Sequence, residues 1–184
     1  MAGTLSGLGS FSGLGNFKTE ILYSIGQTGP GGGIIFYDAG STLSWGRYME
    51  VATTSTSPAW TDSVMQWSGT TNVLVGTSST IGTGYTNTLA MVAQNSTADK
   101  AGTKCRDFTG GGKTDWFLPS YNELTALYNS AAKTAASVGS VQYFSSTEYS
   151  YYQVHTLSFS SGGDGFPSKT NVNNNVYTRA IRYV

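Results

Sequence analysis

The chain has 184 residues, enough for one domain with a sizeable core and too few for two comfortable ones. Charged residues make up 11% and balance to a net charge of zero, which excludes the basic field that a phosphate backbone requires, and with it a nucleic-acid partner. A lone cysteine, Cys105, excludes an intrachain disulfide and a cysteine zinc site, and no apolar run approaches the length of a bilayer, so no membrane insertion is expected.

Residues 1–20 differ in kind from the rest. They contain a doubled hexapeptide, Ser-Gly-Leu-Gly-Ser-Phe followed by Ser-Gly-Leu-Gly-Asn-Phe. Leu5, Leu8, Phe11, Leu14 and Phe17 recur at every third position, which a polyproline-II-like strand with its three residues per turn would line up along one edge. An apolar edge in water needs a partner, so the segment reads as an anchoring arm, with a flexible Gly/Ser tail as the plainer alternative. The start of the chain lacks the basic and apolar pattern of a secretory signal, from which assembly in the cytoplasm is expected.

A domain over residues 21–184 follows. The cluster Gly29-Pro-Gly-Gly-Gly33 is a turn ahead of an apolar strand at 34–37, and 47–53 reads as a second strand. Residues 53–85, rich in Thr, Ser and Gly, read as a long loop pinned by Trp60 and Trp67, whose indole N–H groups need acceptors if buried. Helical spacing of Leu89, Val92, Ala93 and Ser96 predicts a helix over 86–97, with Cys105 in the loop beyond it. The run Thr109-Gly-Gly-Gly-Lys-Thr114 is not a phosphate loop, because Asp107 stands at the first glycine position and no helix pattern follows.

Trp116 and Leu118 mark a buried strand end, and Ser120 with Glu123 forms a capping box that opens the firmest helix of the chain. Leu124, Leu127, Tyr128 and Ala131 extend an apolar stripe over about three turns. The segments 143–148, 154–160 and 176–184 have the aromatic and β-branched alternation of antiparallel strands, leaving 149–153 and 162–175 as exposed loops.

Catalytic readings fare badly. His155 is the only histidine and thus the only candidate imidazole base, no Gly-x-Ser-x-Gly elbow presents a nucleophile, and the acidic residues Asp99, Asp107, Asp115 and Asp164 are too scattered for a hard-cation site. We expect no catalytic residues, metal or cofactor. Among the charges in regular segments, Glu123, Glu148, Arg179 and Arg182 are expected to supply a buried carboxylate–guanidinium pair that orders the helix against the last strands. The remaining candidates form a recognition surface of rings and amides: Tyr149, Tyr151, Tyr152, Gln153, His155, Asp164, Phe166, Lys169, Asn171, Asn173, Asn174 and Asn175. Tyrosine with Ser, Gly and Asn is the vocabulary of antibody paratopes, although loops are polar for ordinary reasons as well.

Four ordered blocks carry a resemblance: Ile25 to Tyr37, Asp115-Trp-Phe-Leu-Pro-Ser120 with Glu123-Leu124, Tyr143-Phe-Ser-Ser-Thr-Glu148, and Thr178-Arg-Ala-Ile-Arg182. Over roughly residues 21–184 the chain resembles the Lcl C-terminal type of domain found in phage and bacterial surface proteins, and it is more distantly similar to phage receptor-binding proteins of the major tropism determinant type. The resemblance implies an α+β, C-type-lectin-like fold with two helices packed on antiparallel strands and long recognition loops. It implies no catalytic chemistry. The Glu-Pro-Asn, Gln-Pro-Asp and Trp-Asn-Asp motifs of calcium-dependent sugar sites are absent, and the single Cys105 excludes the oxidation chemistry of sulfatase-modifying enzymes, which need a cysteine pair. The expectation is therefore a phage virion protein, on a tail fibre or the capsid, that binds a host-surface glycan or protein and is attached to other virion proteins through its arm. A decoration protein that contacts chiefly other virion proteins is the alternative, and an exported bacterial adhesin a third. A homotrimer would follow by analogy with fibre tips.

Overall fold

A computed structural model describes residues 21–170 and 175–184, so the arm residues Leu5, Leu8, Phe11, Leu14 and Phe17, and Asn171, Asn173 and Asn174, lie outside the described residues. The described part is a mixed α+β structure with two sheets and four α-helices. Strand β1 (Ile34–Leu43) turns into β2 (Gly46–Val51) as an antiparallel hairpin. Tyr48, Met49, Glu50 and Val51 are all buried, so β2 is covered on both faces.

The glycine cluster before β1 has a steric cause. Gly31 donates its amide to Glu50 Oε1 at 2.8 Å, and a Cβ at Gly31 would fall 2.2 Å from that oxygen. At Gly33 a Cβ would fall 2.4 Å from the Val51 carbonyl oxygen. Only glycine lets the backbone pass this close to the buried carboxylate and its strand.

The second sheet has five strands. In spatial order they are β3 (Ser63–Val64), β7 (Val176–Thr178), β4 (Gln142–Glu148), β5 (Val154–Ser158) and β6 (Asp164–Gly165). All neighbours run antiparallel except β4 and β7, which are parallel. The expectation of one antiparallel C-terminal strand over 176–184 is thereby corrected. The chain breaks at Arg179 and Ala180, and β8 (Ile181–Tyr183) crosses to the first sheet, where it pairs with β2. Arg179 explains the break: its buried guanidinium donates to the carbonyls of Ala52 (2.8 Å), Ala136 (3.2 Å) and Ser137 (3.1 Å) and to Asp62 Oδ2 (2.7 Å), so this stretch serves side-chain bonding instead of a ladder.

Helix α1 (Gly84–Gln94) begins and ends earlier than the apolar spacing predicts, and a different face is buried. Leu89 is 43% exposed, while Gly84, Asn87, Thr88 and Met91 face inward. Polar residues can occupy that face because they are saturated. Thr88 donates to Gly84 O and Leu118 O and accepts from Leu118 N, and Asn87 bonds Ser78 and Ser146. Cys105 lies not in a loop but in α2 (Ala101–Asp107), fully buried, and burial raises its thiol pKa far above the ordinary value.

Helix α3 (Tyr121–Asn129) carries the predicted capping box, with Ser120 Oγ accepting from Glu123 N and Glu123 Oε2 accepting from Ser120 N at 2.7 Å. Its stripe is shorter than predicted. Leu124 and Leu127 are buried, but the helix stops at Asn129 and Ala131 is exposed; Ala132 and Ala136, in and just after the short α4 (Ala132–Ala135), take its place in the core.

Two apolar clusters fill the interior. One gathers Trp60, Trp67, Trp116, Leu118, Phe144 and Val154 with α1 and α2, and the other gathers Phe36, Met49, Phe117, Leu124, Leu127, Tyr143 and Ile181. All three buried indoles find acceptors: Asp62 Oδ1 for Trp60 (2.9 Å), Ser145 O for Trp67 (2.7 Å) and Gly110 O for Trp116 (3.0 Å). The loop between β2 and α1 is thus pinned as its two tryptophans suggested.

Candidate functional site

The predicted ion pair exists in kind but not in membership. Arg182 does not meet Glu123 or Glu148; its Nη1 donates to Glu50 Oε1 at 2.7 Å, and Nε and Nη2 grip Asp115 at 2.8 Å each. Arg179 meets Asp62. Glu123 still ties α3 to the last strand, but through the Tyr183 hydroxyl, which donates to Oε1 at 2.5 Å. Gly82 N, at 2.7 Å, shares that oxygen.

Glu148, at the end of β4, fixes the floor of the β4–β5 hairpin. Its carboxylate accepts from the amides of Val75 (2.8 Å), Gly76 (2.9 Å) and Thr77 (3.4 Å) and pairs with Lys169 Nζ. Lys169 also donates to Val73 O at 2.9 Å and lies over the Trp67 ring. With its side chain fully buried, Lys169 is removed from the set of ligand contacts: an ammonium held by a carboxylate, a carbonyl and an indole face is a structural pin. Burial pushes the Glu148 carboxyl up, but Lys169 and the loop amides outweigh it and hold the carboxyl below its ordinary value.

Above this floor the hairpin is sutured by backbone bonds. Tyr149 N and Ser150 N both donate to Gln153 O, Lys169 N donates to Tyr152 O, and Val154 N donates to Pro167 O. Gln153 spends its side-chain amide on Phe166 O at 2.7 Å, which makes it a brace. Tyr149, Tyr151, Tyr152 and Phe166 are exposed by 56%, 57%, 48% and 37%, a concentration of large rings at one hairpin and its neighbouring strand. Tyr149 packs on Phe166 (centroids 4.3 Å apart) and edge-on to His155 (5.3 Å), and His155 in turn contacts Phe166 (5.0 Å) and Tyr121 (4.9 Å).

Tyr121 was missed by the sequence reading. It opens α3, and only the packing of that helix on β5 brings its ring to His155 and its hydroxyl to Asp164. His155 is half-buried, with no hydrogen-bond partner for Nδ1 among the described residues; burial lowers its pKa, partly opposed by the Asp164 charge. Asn175 is exposed in the left-handed backbone region (φ 49°) just before β7.

Three cavities, of about 350, 320 and 210 Å³, open elsewhere on the surface, and the exposed hairpin rings line none of them. Among the described residues no group of three or more His, Cys, Asp or Glu side chains could hold a metal ion, and no helix is long and apolar enough to cross a membrane. The ring surface is exposed and well braced, suited to stacking against a partner. No protein-family model matches the chain, and no curated protein matches it.

Proposed function

We propose that this protein is a component of a phage virion whose C-type-lectin-like domain binds a host-surface glycan or protein through the β4–β5 hairpin, with residues 1–20 attaching it to other virion proteins. The role is binding, not catalysis. The observation that carries this reading is the set of exposed rings Tyr149, Tyr151, Tyr152 and Phe166 on a hairpin locked from below by Glu148 and Lys169. Rigid aromatic faces give contact area at small entropic cost, and they stack equally on the apolar face of a sugar or on a protein surface. The four sequence blocks that resemble lectin-like phage and bacterial surface domains support the same reading.

Binding of the full chain to whole host cells tests it. Tyr151→Ala with Tyr152→Ala is expected to weaken adsorption at least about tenfold, as removal of central aromatic anchors does. Deletion of residues 1–20 is expected to abolish incorporation into virions. Unchanged adsorption with impaired assembly would favour the second reading, a decoration protein. That reading has its own observation: Val73 and Leu74 are 50% and 63% exposed beside the Lys169 pin, an apolar patch that a neighbouring virion protein would cover.

A further inference from the structure

The 210 Å³ cavity is lined by Trp45, Tyr85, Asp115 and Tyr183, and none of these belongs to the hairpin surface. Four separate parts of the chain meet here: the β1–β2 turn, the first turn of α1, the segment before α3, and β8. The rings are fixed from behind. Tyr183 packs on Trp45 (4.9 Å) and on buried Phe117 (4.4 Å), Tyr85 stands edge-on to Phe117 (5.8 Å), and a Cβ at Gly82 would fall 2.4 Å from Trp45 Cδ1.

Asp115 is aligned as firmly. Arg182 holds both of its oxygens at 2.8 Å, yet 48% of its side chain is exposed. Each oxygen keeps accepting capacity, because a carboxylate offers about four lone-pair sites and two are used. The Trp45 indole N–H and the Tyr85 hydroxyl have no hydrogen-bond partner among the described residues. The cavity lining thus combines aromatic side chains with a fixed acceptor and the Tyr85 hydroxyl, while the Trp45 N–H edge lies against Gly82, where a Cβ would fall 2.6 Å from Nε1.

Rings around a carboxylate also suit an organic cation, and the neighbouring charges decide against it. Arg182 already grips both oxygens of Asp115 while also pairing with Glu50, and the Arg106 guanidinium lies 4.9 Å from the Tyr85 ring centroid, taking up one of its faces. A second cation would have to sit beside both guanidiniums, with both Asp115 oxygens already held by Arg182. An uncharged polyhydroxylated ring meets no such repulsion: its C–H face packs on the rings, and its hydroxyls donate to Asp115 and accept from Tyr85. The volume is below the roughly 300–1,000 Å³ of pockets for drug-sized ligands, and a single ring matches that size.

We propose that this pocket binds one neutral sugar ring, a hexose or N-acetylhexosamine, as a saccharide site separate from the hairpin. The proposal rests on the glycan form of the function proposed above and adds a second, concave subsite to it.

The four tryptophans supply the test. Trp60, Trp67 and Trp116 are buried with their indoles bonded, whereas Trp45 lines the cavity. In full-length protein labelled with ¹⁵N-tryptophan, titration with the methyl glycosides of glucose, galactose, mannose and N-acetylglucosamine is expected to shift the Trp45 indole signal saturably for at least one sugar. The other three signals should stay in place. A dissociation constant of about 1–20 mM is expected for a ligand this small. Tyr85→Phe, which keeps the ring, should weaken binding about five- to tenfold without moving the other indole signals of the free protein.

A Trp45 signal unmoved by all four glycosides, or one moved by choline chloride and not by sugars, overturns the proposal. If sugars perturb the Tyr151 and Tyr152 ring signals but not Trp45, this pocket fails and the hairpin reading stands. If Trp45 responds while the hairpin variant adsorbs normally, the hairpin reading fails and the pocket stands.

Discussion

Residues 73–85 are held at both ends by a buried carboxylate, and the two ends differ in what stands opposite the charge. At the 73–77 end Glu148 accepts from three loop amides and has Lys169 as a counter-ion. At the 82–84 end Glu123 accepts from Gly82, Gly84, Ser120 and the Tyr183 hydroxyl, with no ammonium or guanidinium bound to it among the described residues. The protonation behaviour of the two ends runs in opposite directions. Burial raises the Glu123 carboxyl beyond what its four donors can offset, while Lys169 and the amides pull Glu148 down. One architectural task, holding a loop by its backbone, is performed once with an ion pair and once with neutral dipoles, and only at the ion pair do the attractions outweigh the desolvation of the carboxylate.

Substitutions can break this contrast, and the largest effect is expected from Glu148→Gln. It leaves the fully buried Lys169 unpaired and should destabilise the protein by about 3–5 kcal/mol in chemical denaturation, with Lys169→Met on top of it recovering a large part. No recovery in the double variant would show that the loop amides, and not the stranded ammonium, dominate. Glu123→Gln is expected to cost about 2–3 kcal/mol, since an amide nitrogen would be forced against N–H or O–H donors. Ser120→Ala removes the capping hydroxyl and should cost about 1 kcal/mol. Tyr151→Ala, at an exposed ring with no side-chain hydrogen bond or ring contact among the described residues, should change stability by less than about 0.5 kcal/mol, which separates the hairpin's proposed binding role from the clamps beneath it.

The pH dependence sharpens the same comparison. With its folded pKa lowered, Glu148 contributes stability that is full above the ordinary carboxylate value and is lost as pH falls through the lowered one. The stability gap between the native protein and Glu148→Gln should therefore shrink below about pH 4. Glu123, with its folded pKa raised, contributes fully in acid and less as pH rises through the raised value, so its gap to Glu123→Gln should narrow in the other direction. Denaturation midpoints taken from pH 3 to 8 on both variants would reveal any failure of these opposite slopes.

Much of the local structure was legible because its causes lie within a few residues. The Ser120–Glu123 box, the glycine turn before β1 and the need of buried indoles for acceptors are dictated by backbone donors, the lack of a Cβ and the indole N–H, and all are present. The candidate recognition site was legible in its exposed rings, whose clustering at 149–152 is a property of adjacent positions. Helix α1 was misphased because its apolar spacing pointed to Leu89, whereas saturated hydrogen bonds let Asn87 and Thr88 face inward. Lys169 was misassigned because nothing nearby in the chain announces a partner at Glu148 or an indole at Trp67.

The sequence by itself determined where α3 and the turn before β1 start, that the tryptophans would be sinks for hydrogen bonding, and that large rings would crowd one hairpin. The tertiary structure alone decided which carboxylate meets which cation, that the last segment divides between two sheets, and that Trp45, Tyr85, Asp115 and Tyr183 line one open cavity. The reason is the range of the forces: capping and steric limits act between neighbours along the chain, while ion pairing and cavity lining depend on distances that exist only once remote segments have packed.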